Sequence, residues 1–153
     1  MHKSILKLLT PPAVLALLIL TAAAASQDLV PNAMAGASAK GMVDLPAQKS
    51  AVGGVTIKIK PLDLSSEAKE WVFEVVLETH TQDLGDDLAK TAALIDSAGR
   101  QAAPTKWQGD GPGGHHRKGQ LHFAPLSPQP ASVELHIRRT GEAAPRTFAW
   151  KLK

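Results

Sequence analysis

Short runs of alternating hydrophobic and polar residues begin at Val55 and continue to the end of the chain. In the first run, Val55, Ile57 and Ile59 alternate with polar residues, which is the pattern of a strand with one buried face. Pro61 is expected to close this strand, because proline has no N–H to donate to a neighbouring strand. The pattern therefore predicts a strand from Val55 to Lys60.

Six further segments carry a similar pattern and predict six more strands. They are Trp71 to Thr79, Leu88 to Asp96, Ala103 to Trp107, Gln120 to Phe123, Val133 to Ile137 and Phe148 to Leu152. Turn-forming residues separate several of these segments, as at residues 96–99 and 140–145. We therefore predict an all-β domain over residues 53–153, an immunoglobulin-like antiparallel β-sandwich of about seven strands.

The hydrophobic side of each predicted strand is expected to form the core. The large residues on that side are Trp71, Phe73, Leu121, Phe123, Leu135, Phe148 and Trp150. His122 and His136 have the opposite parity in their strands, so they are expected at the surface. Aromatic residues make up only 4% of the chain, so the core depends mainly on valine, leucine, isoleucine and alanine.

Residues 1–26 have the composition of a secretory signal peptide. Lys3 and Lys7 provide a positive start, residues 8–20 are mostly apolar, and small residues at 21–26 offer a cleavage site. The apolar run is shorter than the roughly 20 residues of a membrane-spanning helix. The sequence predicts export to the bacterial periplasm or exterior, with no membrane segment after cleavage; retention as an uncleaved anchor is the alternative.

Residues 27–52 are rich in alanine, glycine, serine and glutamine and follow neither the strand nor the helix period. Such a composition is typical of a flexible linker. The predicted organisation is therefore a signal peptide at 1–26, a linker at 27–52 and a sandwich domain at 53–153.

Composition excludes several classes of function. The chain has no cysteine, so it has no disulfide, thiolate ligand or lipid-modified cysteine. Without the signal peptide, 15 basic residues face 14 acidic ones, and this net charge of +1 argues against a nucleic-acid partner. The serines lack the surroundings of a nucleophile elbow, and no tyrosine is present. We therefore predict a protein that is not an enzyme.

A glycine-rich segment at residues 109–114 leads into His115, His116 and Arg117. Strand ends and loops cluster at the two ends of a sandwich, so His80, which follows a predicted strand, is expected near this segment. Imidazole is a common ligand of copper and zinc, and a nearby carboxylate would complete the donor set. One prediction from the sequence is therefore a metal site made of His80, Asp83, His115 and His116, with Cu²⁺ or Zn²⁺ as the ion.

Two alternatives to a metal site remain open. The first alternative explains the histidine segment as an ordered loop in which Arg117 pairs with Asp83, Asp86 or Asp87. The domain would then be a protein-interaction or structural module of the cell envelope, with a sandwich edge or the glycine-rich segment as its contact surface. The sequence specifies neither the partner nor the oligomeric state.

Several of these residues together resemble a known but uncharacterised family. They are the run from Val76 to His80, Asp83, Leu84, Trp107, the run from Gly113 to Phe123, and the closing residues Arg146, Phe148 and Trp150. This set is similar to small secreted bacterial and archaeal domains of immunoglobulin-like fold, over residues 54–152. The resemblance implies a shared fold and export, and it implies no activity.

Overall fold

The computed structural model describes residues 44–153. The predicted signal peptide lies outside these residues, as does the linker up to residue 43. None of the helices in the described part of the chain has the length and apolar character needed to cross a membrane.

The described chain forms nine strands and one short helix. In chain order they are β1 (Gln48–Val52), β2 (Val55–Asp63), β3 (Trp71–Thr79), α1 (Leu88–Thr91), β4 (Ala92–Asp96), β5 (Gln101–Ala102), β6 (Lys106–Gly109), β7 (His116–Phe123), β8 (Ser132–Ile137) and β9 (Arg146–Lys151). One sheet has the order β1-β2-β3-β7-β6 and the other β5-β4-β8-β9, and all neighbouring strands are antiparallel. The predicted all-β antiparallel sandwich is confirmed, with nine strands instead of about seven. Its immunoglobulin-like character stays a prediction.

The core lies between the two sheets and contains the residues that the alternation placed there. All seven predicted core residues are buried. Phe73 is central: its ring centroid lies 5.7 Å from that of Phe123, in an edge-to-face contact, and 5.5 Å from that of Trp150 in the opposite sheet. The alternation therefore identified which side of each strand faces inward.

Several predicted strand boundaries differ from the structure. The strand expected over Ala103 to Trp107 is found as β5 and β6, and β7 begins at His116 instead of Gln120. Residues 88–91 were expected in a strand and form α1 instead, because the Asp87 side chain caps the helix by accepting a hydrogen bond from the Ala89 N–H at 3.1 Å. Pro61 was expected to end β2, yet the strand continues to Asp63 with a register shift. Strand β1 pairs with β2 only as far as Ile59, so at Pro61 that side of β2 needs no N–H donor.

Strand β1 lies within the segment that was expected to be linker, so the linker prediction is wrong for residues 48–52. The side-chain amide of Gln48 donates to the Ala149 carbonyl and accepts from the Ala149 N–H, as a neighbouring strand would. Arg146 donates to the carbonyls of Val52 and Val55 at 2.9 and 2.8 Å. These bonds join the edges of the two sheets, β1 in one and β9 in the other.

Both ends of the described chain lie at one end of the sandwich. The Trp150 indole N–H donates to the Pro46 carbonyl at 2.8 Å, which brings the residues before β1 next to the end of β9. The opposite end carries the connections between β3 and α1, between β6 and β7, and between β8 and β9. We call this second end the histidine end, because His80, His115 and His116 lie there.

Candidate functional site: the histidine end

Three of the four residues predicted as metal ligands line one surface depression. Its lining consists of Glu78, Thr79, His80, His115 and His116, and its volume is about 460 Å³. The ladder between β3 and β7 sets this arrangement, since Glu78 lies opposite His116 and the Thr79 N–H donates to the His115 carbonyl at 2.9 Å. We call this feature the histidine depression.

The three imidazoles are exposed, and Glu78 is the acidic group beside them. The His116 Nε2 lies 3.9 Å from the Glu78 Oε1, which is too far for a hydrogen bond. The other oxygen of Glu78 binds the Lys58 ammonium at 3.0 Å. This bond to Lys58, with smaller electrostatic help from Lys58 and His116, holds the pKa of Glu78 below its usual value. Glu78 is therefore ionised, and its charge is largely offset by Lys58.

Asp83, the fourth predicted ligand, does not line the histidine depression. It lines a second depression together with Asp86, Asp87 and Arg139, and its carbonyl accepts a hydrogen bond from the Arg139 guanidinium at 2.8 Å. Within residues 44–153, no three histidine, aspartate or glutamate side chains stand close enough to hold a metal ion together. The three histidines therefore line one depression, but the described residues do not form a complete set of metal ligands.

Arg117 is buried directly beneath the loops of the histidine end, with 1% of its surface exposed. Its guanidinium donates to the carbonyls of Leu84 and Asp86, both at 2.7 Å, and lies 5.6 Å from the centre of the Trp107 ring. A weaker bond reaches the Asp110 carbonyl at 3.3 Å. The predicted ion pair with an aspartate is therefore wrong, because the acceptors of Arg117 are backbone carbonyls. The Asp86 side chain has other partners. Burial lowers the pKa of Arg117, and the nearby aspartates oppose that shift.

Asp86 and Arg139 form a buried ion pair, with 2.9 Å between the Arg139 Nε and the Asp86 Oδ2. Thr140 donates two further bonds to the other oxygen of Asp86, from its N–H at 3.0 Å and from its hydroxyl at 2.7 Å. Burial alone would raise the pKa of Asp86, but the bonds from Thr140 and the charge of Arg139 lower it overall. This pair attaches the connection after β3 to the connection after β8.

The glycine-rich segment is bound to the same loop. The Gly113 N–H donates to the Leu84 carbonyl at 3.0 Å, and the Asp110 carboxylate accepts from the Lys118 N–H at 2.8 Å. Gly113 and Gly114 have φ values of 108° and 75°, which other residues rarely adopt. The glycines therefore shape a defined turn, and buried arginines fix the neighbouring loops in place.

His122 was expected at the surface and is instead buried, with 6% of its surface exposed. Its Nδ1 lies 3.1 Å from the Glu70 carboxylate, which also binds Lys106 at 3.3 Å. The Nε2 is buried and has no hydrogen-bond partner among the described residues. His136 lies on the outer side of its strand as expected, with its Nε2 2.9 Å from a Glu134 carboxylate oxygen.

Sequence reasoning missed Glu78 and Arg139 as parts of the histidine end, and it offered Asp86 only as a partner of Arg117. A signal for Glu78 was present, because it shares with His80 the outward parity of β3. Arg117 could also have been placed, since it has the inward parity of Leu121 and Phe123. The pairing of Asp86 with Arg139 joins residues 53 positions apart, and no local pattern indicates it.

Comparisons with known proteins return little similarity. No family profile matches the chain, and no curated protein matches it. Among solved structures, the chain is similar to the crystal structure of a DUF4426 family protein from Pseudomonas aeruginosa PAO1. The two are 18% identical, the alignment covers 67% of this chain and 92% of the other, and the TM-score is 0.41.

Proposed function

We propose that this protein is an exported, non-enzymatic binding module of the bacterial cell envelope and that the histidine depression is its contact surface. The observation that carries the proposal is the presence of three exposed imidazoles around one depression, at the end of a sandwich whose loops are fixed by buried bonds. Binding residues are commonly displayed in this way, on loops that a rigid scaffold positions.

The contrast between neighbouring polar groups supports this choice. Asp86, Arg117 and Arg139 are buried and bonded to the loops, so their chemistry is used in holding the fold. His80, His115 and His116 are exposed, and the 3.9 Å between the His116 Nε2 and the Glu78 carboxylate is longer than a hydrogen bond. Side chains that the fold does not use are available for a ligand.

A divalent transition metal, Cu²⁺ or Zn²⁺, is the first candidate ligand. Imidazole nitrogen and carboxylate oxygen both bind these ions, and the depression offers three imidazoles and Glu78. Residues 44–153 of one chain do not provide a complete set of metal ligands. A second candidate ligand is therefore an envelope protein that contacts the depression directly, without metal.

Calorimetric titration of the purified protein with Zn²⁺ and with Cu²⁺ tests the metal. We expect saturable binding that the double substitution of His115 and His116 by alanine abolishes, while His136→Ala, a matched histidine on the other sheet, binds like the wild type. Binding should also weaken in acid, because protons compete with the metal ion for imidazole nitrogen. An absence of saturable binding by the wild type would leave the protein partner as the function of this surface.

Export has its own test. Small residues at positions 21–26 place the expected cleavage so that the mature protein begins near Ala25 to Gln27. N-terminal sequencing of protein recovered from the periplasm or the medium checks this expectation. An intact Met1 on membrane-associated protein would instead indicate an uncleaved anchor.

A further inference from the structure

The histidine depression has metal-binding side chains but lacks a full coordination sphere. A protein Zn²⁺ site usually has about four ligands in a tetrahedron, at least three of them from protein. Within residues 44–153, no three donor side chains are close enough to act together, although three imidazoles and a carboxylate line the depression. One copy of the chain therefore supplies at most two ligands as its side chains stand.

We propose that the histidine depression is half of a divalent-metal site and that a second copy of this chain supplies the other half. A Zn²⁺ ion would then join two copies through their histidine ends. The inference rests on the proposed metal-binding function of the same depression. Two ligands from each copy complete the tetrahedron that one copy leaves incomplete.

Symmetry makes such a site simple to form. A two-fold rotation places the same residues of both copies against each other, so any pair of ligands on one copy is matched by an identical pair on the other. The depression lies at the end of the sandwich away from both ends of the described chain, where residues 44 and 153 do not obstruct a second copy.

The charges around the depression permit a close approach. Glu78 is the acidic group in its lining, and Lys58 offsets that charge at 3.0 Å. The ion pair of Glu78 with Lys58 leaves little net charge from these two residues, so two facing depressions bring no large like charge together there. The metal supplies the attraction, because each copy gains ligands for the ion that it lacks alone.

Sedimentation equilibrium of the purified protein, with added Zn²⁺ and with EDTA, tests the proposal. We expect the monomer mass in EDTA, twice that mass with Zn²⁺, and about one ion bound for every two chains. The variant with His80, His115 and His116 all replaced by alanine should remain monomeric with Zn²⁺, because it keeps only Glu78 as a donor in the depression. The His136→Ala control should double its mass like the wild type. Far-ultraviolet circular dichroism verifies that each variant is folded.

The other outcomes distinguish a failure of the shared site from a failure of the proposed metal binding itself. One ion bound per chain at the monomer mass would overturn the shared site and leave metal binding in place. No saturable Zn²⁺ binding would overturn both. A doubled mass in EDTA as well would show that the copies associate without metal, which also overturns the shared site.

Single substitutions identify the ligands. His80→Ala, His115→Ala, His116→Ala and Glu78→Gln each remove one donor from the depression. If two residues per copy hold the ion, two of these variants should lose Zn²⁺-dependent dimers and the other two should keep them. Retention of the dimer by all four would overturn the assignment of the depression as the shared site.

Discussion

Gly109 and Gly119 lie directly opposite each other in the ladder between β6 and β7, and the ring of Trp107 covers them. A Cβ on Gly119 would lie 2.6 Å from the Trp107 ring and 2.7 Å from the Gly109 Cα. The two glycines therefore leave room for the Trp107 ring, which lies near Arg117.

We predict that Gly119→Ala destabilises the domain by about 1–3 kcal/mol, as is typical when a group is forced into a filled space. Urea unfolding followed by tryptophan fluorescence measures the loss. Gly111→Ala is the matched control, because a Cβ there meets nothing within 4 Å. Equal stability of the two variants would show that Trp107 and the facing backbone of β6 move aside without cost.

Phe123 is the second position for a stability test. It is fully buried and contacts Phe73 edge to face. Phe123→Ala should cost about 3–5 kcal/mol of unfolding free energy, because it removes a large side chain and leaves a cavity. The same truncation at Val52, which is 52% exposed, should change stability by less than about 0.5 kcal/mol. A loss below about 1 kcal/mol for Phe123→Ala would mean that the core closes over the gap.

Arg117 is predicted to hold the loop at residues 84–86 in place. Arg117→Met keeps much of the side-chain volume but removes the bonds to the carbonyls of Leu84 and Asp86. The Leu84 carbonyl keeps the bond from the Gly113 N–H, whereas the Asp86 carbonyl loses its donor. A buried acceptor left unpaired costs about 1–3 kcal/mol, so this variant should be clearly less stable than the wild type. Arg138→Met, at an exposed position, is the control. Amide hydrogen exchange should also show faster opening of residues 83–87, and unchanged exchange there would contradict this role.

Asp86 should make stability dependent on acid pH. The pKa of Asp86 is lower in the folded protein than in the unfolded chain, where an aspartate has a pKa of about 3.9. The ionised carboxylate therefore stabilises the fold fully at pH values above the unfolded-state pKa. This stabilisation is lost as the pH falls through the pKa of the folded state. Asp86→Asn should cost about 3–5 kcal/mol at neutral pH, since it leaves Arg139 buried without its partner charge.

The difference in unfolding free energy between Asp86→Asn and the wild type should narrow as the pH falls from 7 towards the acid range. Urea unfolding at a series of pH values measures it. Glu67→Gln, at an exposed position, is the control and should follow the wild type throughout. A difference that stays constant with pH would show that the charge of Asp86 does not stabilise the fold.

Strand parity was the most reliable guide that the sequence offered. It placed Trp71, Phe73 and Phe148 correctly in the core, because an alternating strand with one buried face leaves little choice of orientation. It failed at His122, which has outward parity but is covered and held by Glu70 from a position 52 residues away. Burial on the outer side of a sheet depends on what packs there, and alternation within one strand carries no information about it.

The edges of the sandwich were harder to predict for a related reason. Strand β1 has a weak pattern of its own, and its place is set by pairing with β2 and by the bonds of Gln48 to Ala149. At the histidine end, strand ends brought His80, His115 and His116 together as expected. Asp83 was separated from them because its loop is held towards Arg139, a contact between residues 56 positions apart.

The hydrogen bond from Trp150 to the Pro46 carbonyl places both ends of residues 44–153 on the side of the sandwich away from the histidines. Strand β3 runs nine residues from that end towards the histidine end, and at about 3.3 Å per residue it spans roughly 30 Å. Anything joined to the domain through residue 44 or through Lys153, such as a resin or a fused fluorescent protein, is therefore attached about 30 Å from the histidines. Immobilising the protein by either end should leave the histidine depression open to the solution.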